Sequence, residues 1–362
     1  MASRTAISNQ YEVLGNFSIG EDKKYRNDLS QRLFLVEPDD DQPNFDLLQG
    51  LREYKDTVYT GPVPTSMSPL LDWFHDHRDE LIKKKVLKSE GSSRKLDIDF
   101  VGRRGFFWRL LRAVESLDKL EILVTLCNGT YYIENVKIDN YKLTAWQIEL
   151  GFGGDKFAQC ITSPDGRKPD INKPVNANAQ YGAVMKTQYG DHRIILSTEV
   201  QAERKDSNKA PPENYVCIKT IKDDLVGKPL TNFNRYKTLQ WWSQAYMAGI
   251  PEVICGRRDD RKHIITSVET MKTNQLSSKS EGYWDPRLCQ KKFESYLSEI
   301  KKLVKDDDPR AVYRLKLPEI ERGRGLKDKL RSRRFLLLGR KEDDYVILPD
   351  RYLKDVLGLK EY

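Results

Sequence analysis

The sequence lacks long hydrophobic runs. No apolar stretch approaches the roughly 20 residues that a membrane-spanning helix needs. The first eight residues, from Met1 to Ser8, also lack the apolar core of a secretory signal. We therefore expect a soluble protein that has no membrane partner and is not exported.

Cysteine and histidine are scarce. The cysteines are widely spaced without a Cys-x-x-Cys pair, and the histidines fall in different predicted elements: Cys127, Cys160, Cys217, Cys255 and Cys289; His75, His77, His192 and His263. An odd number of dispersed cysteines in a chain that is not exported predicts reduced thiols and argues against structural zinc. The histidines give no sequence support for a catalytic triad.

Several motifs of common enzyme classes are missing. The chain has no Gly-x-x-x-x-Gly-Lys-Ser/Thr loop, no Gly-x-Gly-x-x-Gly after a predicted strand, no His-Glu-x-x-His and no nucleophile elbow. These absences exclude the standard phosphate-binding loop, the usual dinucleotide site and zinc-protease chemistry.

The charge balance is mildly basic. The 362 residues include 62 Lys plus Arg against 54 Asp plus Glu, a formal net charge of +8. Such a balance suits a partner that carries phosphates, although many basic proteins only have solvated faces. The densest basic segments are Lys83 to Lys85 and Arg322 to Lys341. The second segment is compatible with binding RNA, binding protein or binding nothing.

Strand patterns alternate with a few helical patterns. We predict helices over Ser68 to Lys85, Phe106 to Val114, Asn232 to Ala248 and Asp285 to Lys305, and a hairpin around Asn128-Gly129. No Pro/Gly/Ser-rich linker or internal repeat divides the chain. The sequence predicts one compact domain, preceded by a disordered tail at residues 1–10.

Two apolar runs, Ile194 to Gln201 and Tyr215 to Thr220, predict a strand hairpin with a long solvated loop. Side chains alternate across a strand, so pairing would bring together four of them: Glu199, Gln201, Cys217 and Lys219. Carboxylates and a lysine on such a pair are typical of metal-dependent nucleases. Here only one carboxylate is present, so an ordinary amphipathic hairpin remains an alternative.

Ordered motifs give the chain a resemblance to a known family. They are Leu14-Gly15-Asn16-Phe17-Ser18, Asp46-Leu47-Leu48-Gln49-Gly50, Leu70-Leu71-Asp72-Trp73, Arg104-Gly105, Gly154-Asp155-Lys156-Phe157-Ala158, Glu199-Val200-Gln201, Cys217-Ile218-Lys219, Trp241-Trp242-Ser243-Gln244, Gly249-Ile250-Pro251 and Gly282-Tyr283-Trp284-Asp285-Pro286. Their order and spacing resemble the DXO family of RNA 5′-end decapping exonucleases. The resemblance implies a single mixed α/β (α+β) domain whose two mostly antiparallel or mixed sheets form a cleft, with helices outside. It implies this fold over residues 11–317, with a basic C-terminal segment, 318–362, packed on the same domain.

The resemblance also implies a degenerate site. The family's four metal-binding carboxylates fall on Ala158, Glu199, Gln201 and Cys217, so three are replaced. Arg104, Lys219 and Gln244 match the family and are implied RNA-binding residues. Mg²⁺ and Mn²⁺ prefer hard, charged oxygen donors. We expect an inactive protein without a metal cofactor that binds RNA 5′ ends.

Two alternatives remain open. The first is an active, Mg²⁺- or Mn²⁺-dependent decapping exonuclease that uses Glu199, Glu203 and a carboxylate from elsewhere, such as Asp155. On a strand, the side chain of Asp155 would point away from the position of Ala158, although a helix or bulge would change this. The second is a protein-binding module whose cleft is filled.

Within the family, the lost carboxylates make the chain similar to a nuclear pseudoenzyme of germline piRNA-cluster transcription. That similarity implies a nuclear location and a role in shielding nascent precursor RNA from processing and termination. It also implies a protein complex resembling that of the chromatin reader Rhino and the linker Deadlock.

Overall fold

A computed structural model describes residues 11–38, 43–57, 67–136, 144–321, 325–341 and 346–359. The predicted disordered tail, residues 1–10, lies outside these ranges, as do residues 322–324 of the basic C-terminal segment. No helix in the described ranges is long and apolar enough to cross a membrane.

The strands are β1 Glu12–Ile19, β2 Tyr25–Arg26, β3 Phe34–Leu35, β4 Phe45–Asp46, β5 Leu87–Glu90, β6 Ser93–Leu96, β7 Phe100–Arg103, β8 Leu120–Cys127, β9 Thr130–Asn135, β10 Thr162–Ser163, β11 Gln180–Tyr189, β12 His192–Glu199, β13 Ala202–Glu203, β14 Tyr215–Lys222, β15 Glu252–Asp259, β16 Ile264–Lys272, β17 Val312–Leu317 and β18 Leu336–Lys341. The α-helices are α1 Leu51–Thr57, α2 Ser68–Asp76, α3 Arg78–Lys83, α4 Arg104–Leu111, α5 Ala145–Cys160, α6 Gly227–Asn232, α7 Thr238–Met247, α8 Thr273–Ser278, α9 Pro286–Leu303 and α10 Leu326–Ser332. Short 3-10 or π turns cover Ala113–Glu115, Phe233–Lys237 and Tyr352–Val356.

Two large sheets organise the fold. The larger has the order β18-β17-β8-β9-β7-β12-β11-β1-β2, and the smaller has the order β10-β3-β13-β14-β15-β16-β4. Most neighbouring strands are antiparallel, but β7 is parallel to both β12 and β9, β14 is parallel to β15, and β13 is parallel to β3. This arrangement confirms the predicted single-domain fold with two mixed sheets and helices.

The predicted hairpin between the two apolar runs is wrong. The first run forms β12, which pairs with β11 and β7 in the larger sheet, whereas the second forms β14 in the smaller sheet. The chain passes from one sheet to the other at Val200-Gln201, and the short β13 that follows pairs with β14, whose other neighbour is β15. Strand β12 is buried on both faces, because Ile194 and Leu196 pack in one core cluster and Ile195 in another. Its continuous apolar run therefore reflects a central strand.

The sequence predicted the turn between β8 and β9, whose conformation depends on two residues, better than the length of the helix that begins at Ser68. Asn128 and Gly129 have φ angles of 47° and 72°, and they join β8 to β9 as predicted. The predicted helix from Ser68 to Lys85 is instead two helices that meet at His77. The His77 Nδ1 lies 3.0 Å from the Trp73 carbonyl oxygen, which gives this carbonyl group in the last turn of α2 a hydrogen-bond partner.

Helix α5 packs closely on the smaller sheet. A Cβ atom at Gly256, in β15, would lie 2.9 Å from ring or methyl carbons of Phe157 and Ile265. Phe157 is a fully buried residue of α5. Because glycine has no side chain, Gly256 allows α5 to lie close to the sheet.

We expect Gly256→Ala to destabilise the protein by about 1–3 kcal/mol, because it forces α5 away from the sheet. Chemical denaturation measures this change. Gly151→Ala on the exposed side of α5 is the control, since a Cβ there has no neighbour within 4 Å. It should stabilise the helix by about 0.5–1 kcal/mol. Equal effects of the two substitutions would contradict the close packing.

Candidate functional site

A group of cavities that share lining residues lies around the end of β12, and we call it the groove. Three adjoining cavities with volumes of about 450, 30 and 390 Å³ compose it. Ile19 and Pro69 line both the first and the second cavity, while Tyr181 and Glu199 line both the second and the third. Glu199 thus stands at the narrow middle of the groove, where the volume suits about one water molecule.

Gln201 follows the sheet crossing and lines the third cavity. Its Oε1 accepts a hydrogen bond of 2.8 Å from the backbone N–H of Ile218 in β14. The side chain therefore takes the place of a backbone acceptor where the ladder between β13 and β14 ends. This neutral oxygen ties the two sheets together instead of presenting a charge to the groove.

Helix α5 brings Asp155 and Ala158 to the same groove. Both residues line the third cavity, and positions three apart share a helix face. The expectation that Asp155 points away rested on a strand, and the helix reverses it. A capping box at Thr144 and Gln147 starts this helix. The carboxyl group of Asp155 also receives a hydrogen bond of 3.4 Å from the Tyr54 hydroxyl.

Burial and, to a smaller extent, the nearby charge of Glu199 raise the pKa of Asp155 to about 7, although the Tyr54 hydrogen bond and Lys219 act in the opposite direction. Near neutral pH this carboxyl group is therefore partly protonated. A protonated carboxyl group is a poor ligand for a hard cation.

Lys219 of β14 interacts electrostatically with several other residues of the site. Burial lowers its pKa and Arg104 lowers it further, while Cys217, Glu199 and Asp155 favour its charged form. The structure thus brings together Arg104, Glu199, Cys217 and Lys219, although their strands do not form the predicted hairpin. Gln244 is partly buried on α7, the helix that packs against α4.

Glu203 does not join this cluster. It is buried in β13, where its carboxylate accepts a hydrogen bond of 3.4 Å from Asn214. Burial raises its pKa, and Arg32, Tyr181 and Asn214 oppose that shift. The use of Glu203 as a substitute metal ligand, expected in one alternative, is not supported by this position.

The charges at both ends of the groove were not predicted from the sequence. The first cavity is lined by three cations, Lys23, Lys24 and Arg351, besides Asp72 and Asp76. The third cavity is rich in acidic residues, since Glu21, Asp155, Asp170 and Glu199 line it beside a single cation, Lys173. Arg103 lines the second cavity, and burial lowers its pKa while Glu199 opposes this shift. These residues are far apart in sequence, so no local motif identifies them.

The donor set does not fit the metal centre that the family resemblance implies. Ala158 has no donor, the Gln201 oxygen is neutral and hydrogen-bonded, and Cys217 is a soft, buried thiol. Within the described residues, no group of three or more His, Cys, Asp or Glu is arranged to hold a metal ion. Four acidic residues line the third cavity together with Ala158 and Gln201, and the partly protonated Asp155 is one of them.

Asp155 should make stability depend on pH. Its pKa is raised from 3.8 to about 7 by folding, so the folded state holds the proton more tightly than the unfolded state. At a pH below the ordinary pKa, the carboxyl group is protonated in both states and its ionisation does not change the free energy of unfolding. The free energy of unfolding falls as the pH rises from there to and through about 7. We expect Asp155→Asn to be about 1–3 kcal/mol more stable than the natural chain at about pH 8, with a smaller advantage at about pH 5.

Urea denaturation at both pH values measures this difference. Asp206→Asn is the control, because Asp206 is an exposed loop carboxylate. An advantage of Asp155→Asn that is the same at both pH values would show that Asp155 is not a destabilising buried acid.

Comparisons with known proteins agree with this architecture. The sequence profile of the family described as "RAI1 like PD-(D/E)XK nuclease" matches residues 9–353. The decapping and exoribonuclease protein of Xenopus laevis is 29% identical over 316 residues, which cover 83% of this chain and 77% of that protein.

Solved structures show the same fold. Rai1 of Scheffersomyces stipitis superposes with a TM-score of 0.77 over 96% of both chains, at 19% identity. Rai1 of Candida albicans, solved in complex with pU5-Mn2+, superposes with a TM-score of 0.69 at 18% identity and covers 90% of this chain and 93% of its own. Because the family profile spans residues 9–353, the chain belongs to the RAI1-like PD-(D/E)XK nuclease family, which confirms its resemblance to the DXO decapping exonucleases.

Proposed function

We propose that the protein is a catalytically inactive member of this family that binds or shields RNA 5′ ends. The observation that carries the proposal is the donor set beside Glu199. Two-metal phosphodiester cleavage needs several charged oxygens to hold the ions and to generate hydroxide near neutral pH. Here Ala158 offers none, and Gln201 uses its oxygen in the bond to Ile218.

The distribution of charge favours one end of the groove for RNA. Lys23, Lys24 and Arg351 at the first cavity provide cations for phosphate groups. The acid-rich third cavity repels phosphate when no cation is bound. An RNA end therefore lies with its backbone toward the first cavity.

The biological role that fits an inactive member is that of a nuclear scaffold. The pattern of replaced carboxylates is similar to that of Cutoff, the nuclear pseudoenzyme of germline piRNA-cluster transcription. On this proposal the protein acts in the nucleus and protects nascent precursor RNA from processing and termination. It does so in a complex resembling the one that contains Rhino and Deadlock.

An active decapping exonuclease is the second candidate, and the position of Asp155 favours it. Its carboxyl group lines the same cavity as Glu199, on the same helix face as Ala158. With a Mg²⁺ or Mn²⁺ ion that lowers the pKa of Asp155, these two carboxylates would be the remaining charged ligands. The relatives named as decapping exoribonucleases make this alternative worth testing.

The test compares the natural chain with the triple variant Ala158→Glu, Gln201→Asp, Cys217→Glu. Both are incubated with 5′-triphosphate, 5′-monophosphate and capped RNA in the presence of Mg²⁺ or Mn²⁺. We expect the natural chain to bind RNA without cleaving it and the triple variant to cleave it, because the variant restores the charged oxygen donors. Adding Lys219→Met to the triple variant provides a folded control without restored activity.

Cleavage by the natural chain would contradict the proposal, and its loss in Asp155→Asn would identify the active alternative. If the natural chain neither cleaves nor binds RNA, the shielding function is wrong and a purely protein-binding role takes its place. A Lys23→Ala, Lys24→Ala variant should weaken binding about tenfold, because it removes two phosphate contacts from the first cavity.

A further inference from the structure

One edge of the larger sheet differs from the other edges of the two large sheets. Strands β2, β4 and β10, which end these sheets elsewhere, contain only two residues each. Strand β18 ends the larger sheet and contains six residues. A longer edge strand presents a row of backbone N–H and C=O groups that another strand can pair with, and short edges are one way in which proteins prevent such pairing.

The edge strand also exposes a patch of leucines. Leu336, Leu337 and Leu338 are 52%, 45% and 50% exposed, although Phe335 just before them is buried. Leu338 is the extra residue of a β-bulge, since Arg314 and Leu315 of β17 lie opposite Gly339 and Leu337. Exposed apolar residues on an edge strand that can still pair mark an interaction site.

Basic side chains surround this patch. Arg334 precedes the strand and Arg340 lies within it, with side chains 55% and 51% exposed. They pair with Glu299 and Asp308, at 3.1 and 2.9 Å. Lys316 lies opposite Leu336 on β17. Residues 325–341 contain seven Lys and Arg but a single acidic residue, while the acidic residues 342–344 that follow lie outside the described ranges.

We propose that β18 is the docking edge for an extended segment of a partner protein with alternating apolar and acidic residues. The segment adds a strand beside Leu336 to Leu338, so that main-chain hydrogen bonds hold it and its apolar side chains cover the leucines. Its carboxylates lie near Arg334 and Arg340. This inference does not depend on whether the groove binds RNA.

The other occupants fit this edge less well. Single-stranded RNA is held by cations and aromatic rings, and β18 exposes three leucines beside Arg340 but contains no aromatic residue. A second copy of the chain paired antiparallel along β18 would place Arg334 of each copy near Arg340 of the other. Like charges opposite one another destabilise strand pairing. An acidic, apolar segment covers the leucines and places carboxylates beside two arginines whose side chains remain about half exposed.

The test uses the full chain and a fluorescent peptide of alternating valine and glutamate, with a matched peptide in which lysine replaces glutamate. Fluorescence anisotropy measures binding, and hydrogen exchange measures protection of the β18 amides. We expect the glutamate peptide to bind about tenfold or more tightly than the lysine peptide and to slow exchange in β18. The double variant Leu336→Thr, Leu338→Thr should weaken this binding about tenfold, because it removes apolar contact while keeping residues that favour strands.

Leu230→Thr is the matched control, since Leu230 is 41% exposed on α6, away from this edge. It should leave peptide binding unchanged. The proposal is overturned if neither peptide binds, if both bind equally, or if protection appears outside β18. It is equally overturned if the natural chain forms dimers that Leu336→Thr, Leu338→Thr abolishes, or if RNA protects the β18 amides.

Discussion

The hydrogen bond from the Ile218 backbone N–H to the Gln201 side chain fixes where the chain passes between its two large sheets. Strand β12 ends at Glu199 in one sheet, and β14 carries Lys219 in the other. Their side chains meet only because the crossing between them is short and held in place. A buried backbone N–H must find an acceptor, and here the amide of Gln201 supplies it. The Gln201 side chain therefore has a structural role.

The groove is not uniformly basic. Its third cavity keeps four acidic side chains, and its first cavity has three cations. Between them, Glu199 and Arg103 line the narrow passage. In the proposed function this gradient would orient a phosphate backbone, and the nearby Glu199 charge makes the Asp155 carboxyl group sensitive to whatever neutralises Glu199. Binding at one end and repulsion at the other suit a protein that holds an RNA end without drawing it through the groove.

The sequence predicted elements whose cause is local. The Asn128-Gly129 turn and helix α9 follow from backbone preferences and apolar periodicity, and family motifs identified the fold. The sequence did not predict that β12 and β14 lie in different sheets, because strand patterns do not specify partners. Helix α5 was also missed, since Gly151, Gly153 and Gly154 weaken helix propensity and the burial of Phe152 and Phe157 compensates through tertiary packing. That helix places Asp155 in the groove. The position of this residue therefore depends on tertiary packing, which local sequence patterns do not show.

Binding of Mn²⁺ to the purified natural chain, followed by electron paramagnetic resonance, tests the central claim most directly. We predict only weak, nonspecific binding that Asp155→Asn does not change, because Gln201 is a neutral amide, Cys217 is a thiol and Ala158 has no donor atom. The triple variant Ala158→Glu, Gln201→Asp, Cys217→Glu should bind the ion about a hundredfold or more tightly, because it adds three carboxylates. Tight binding by the natural chain that Asp155→Asn abolishes would contradict the account and would establish a relocated metal site.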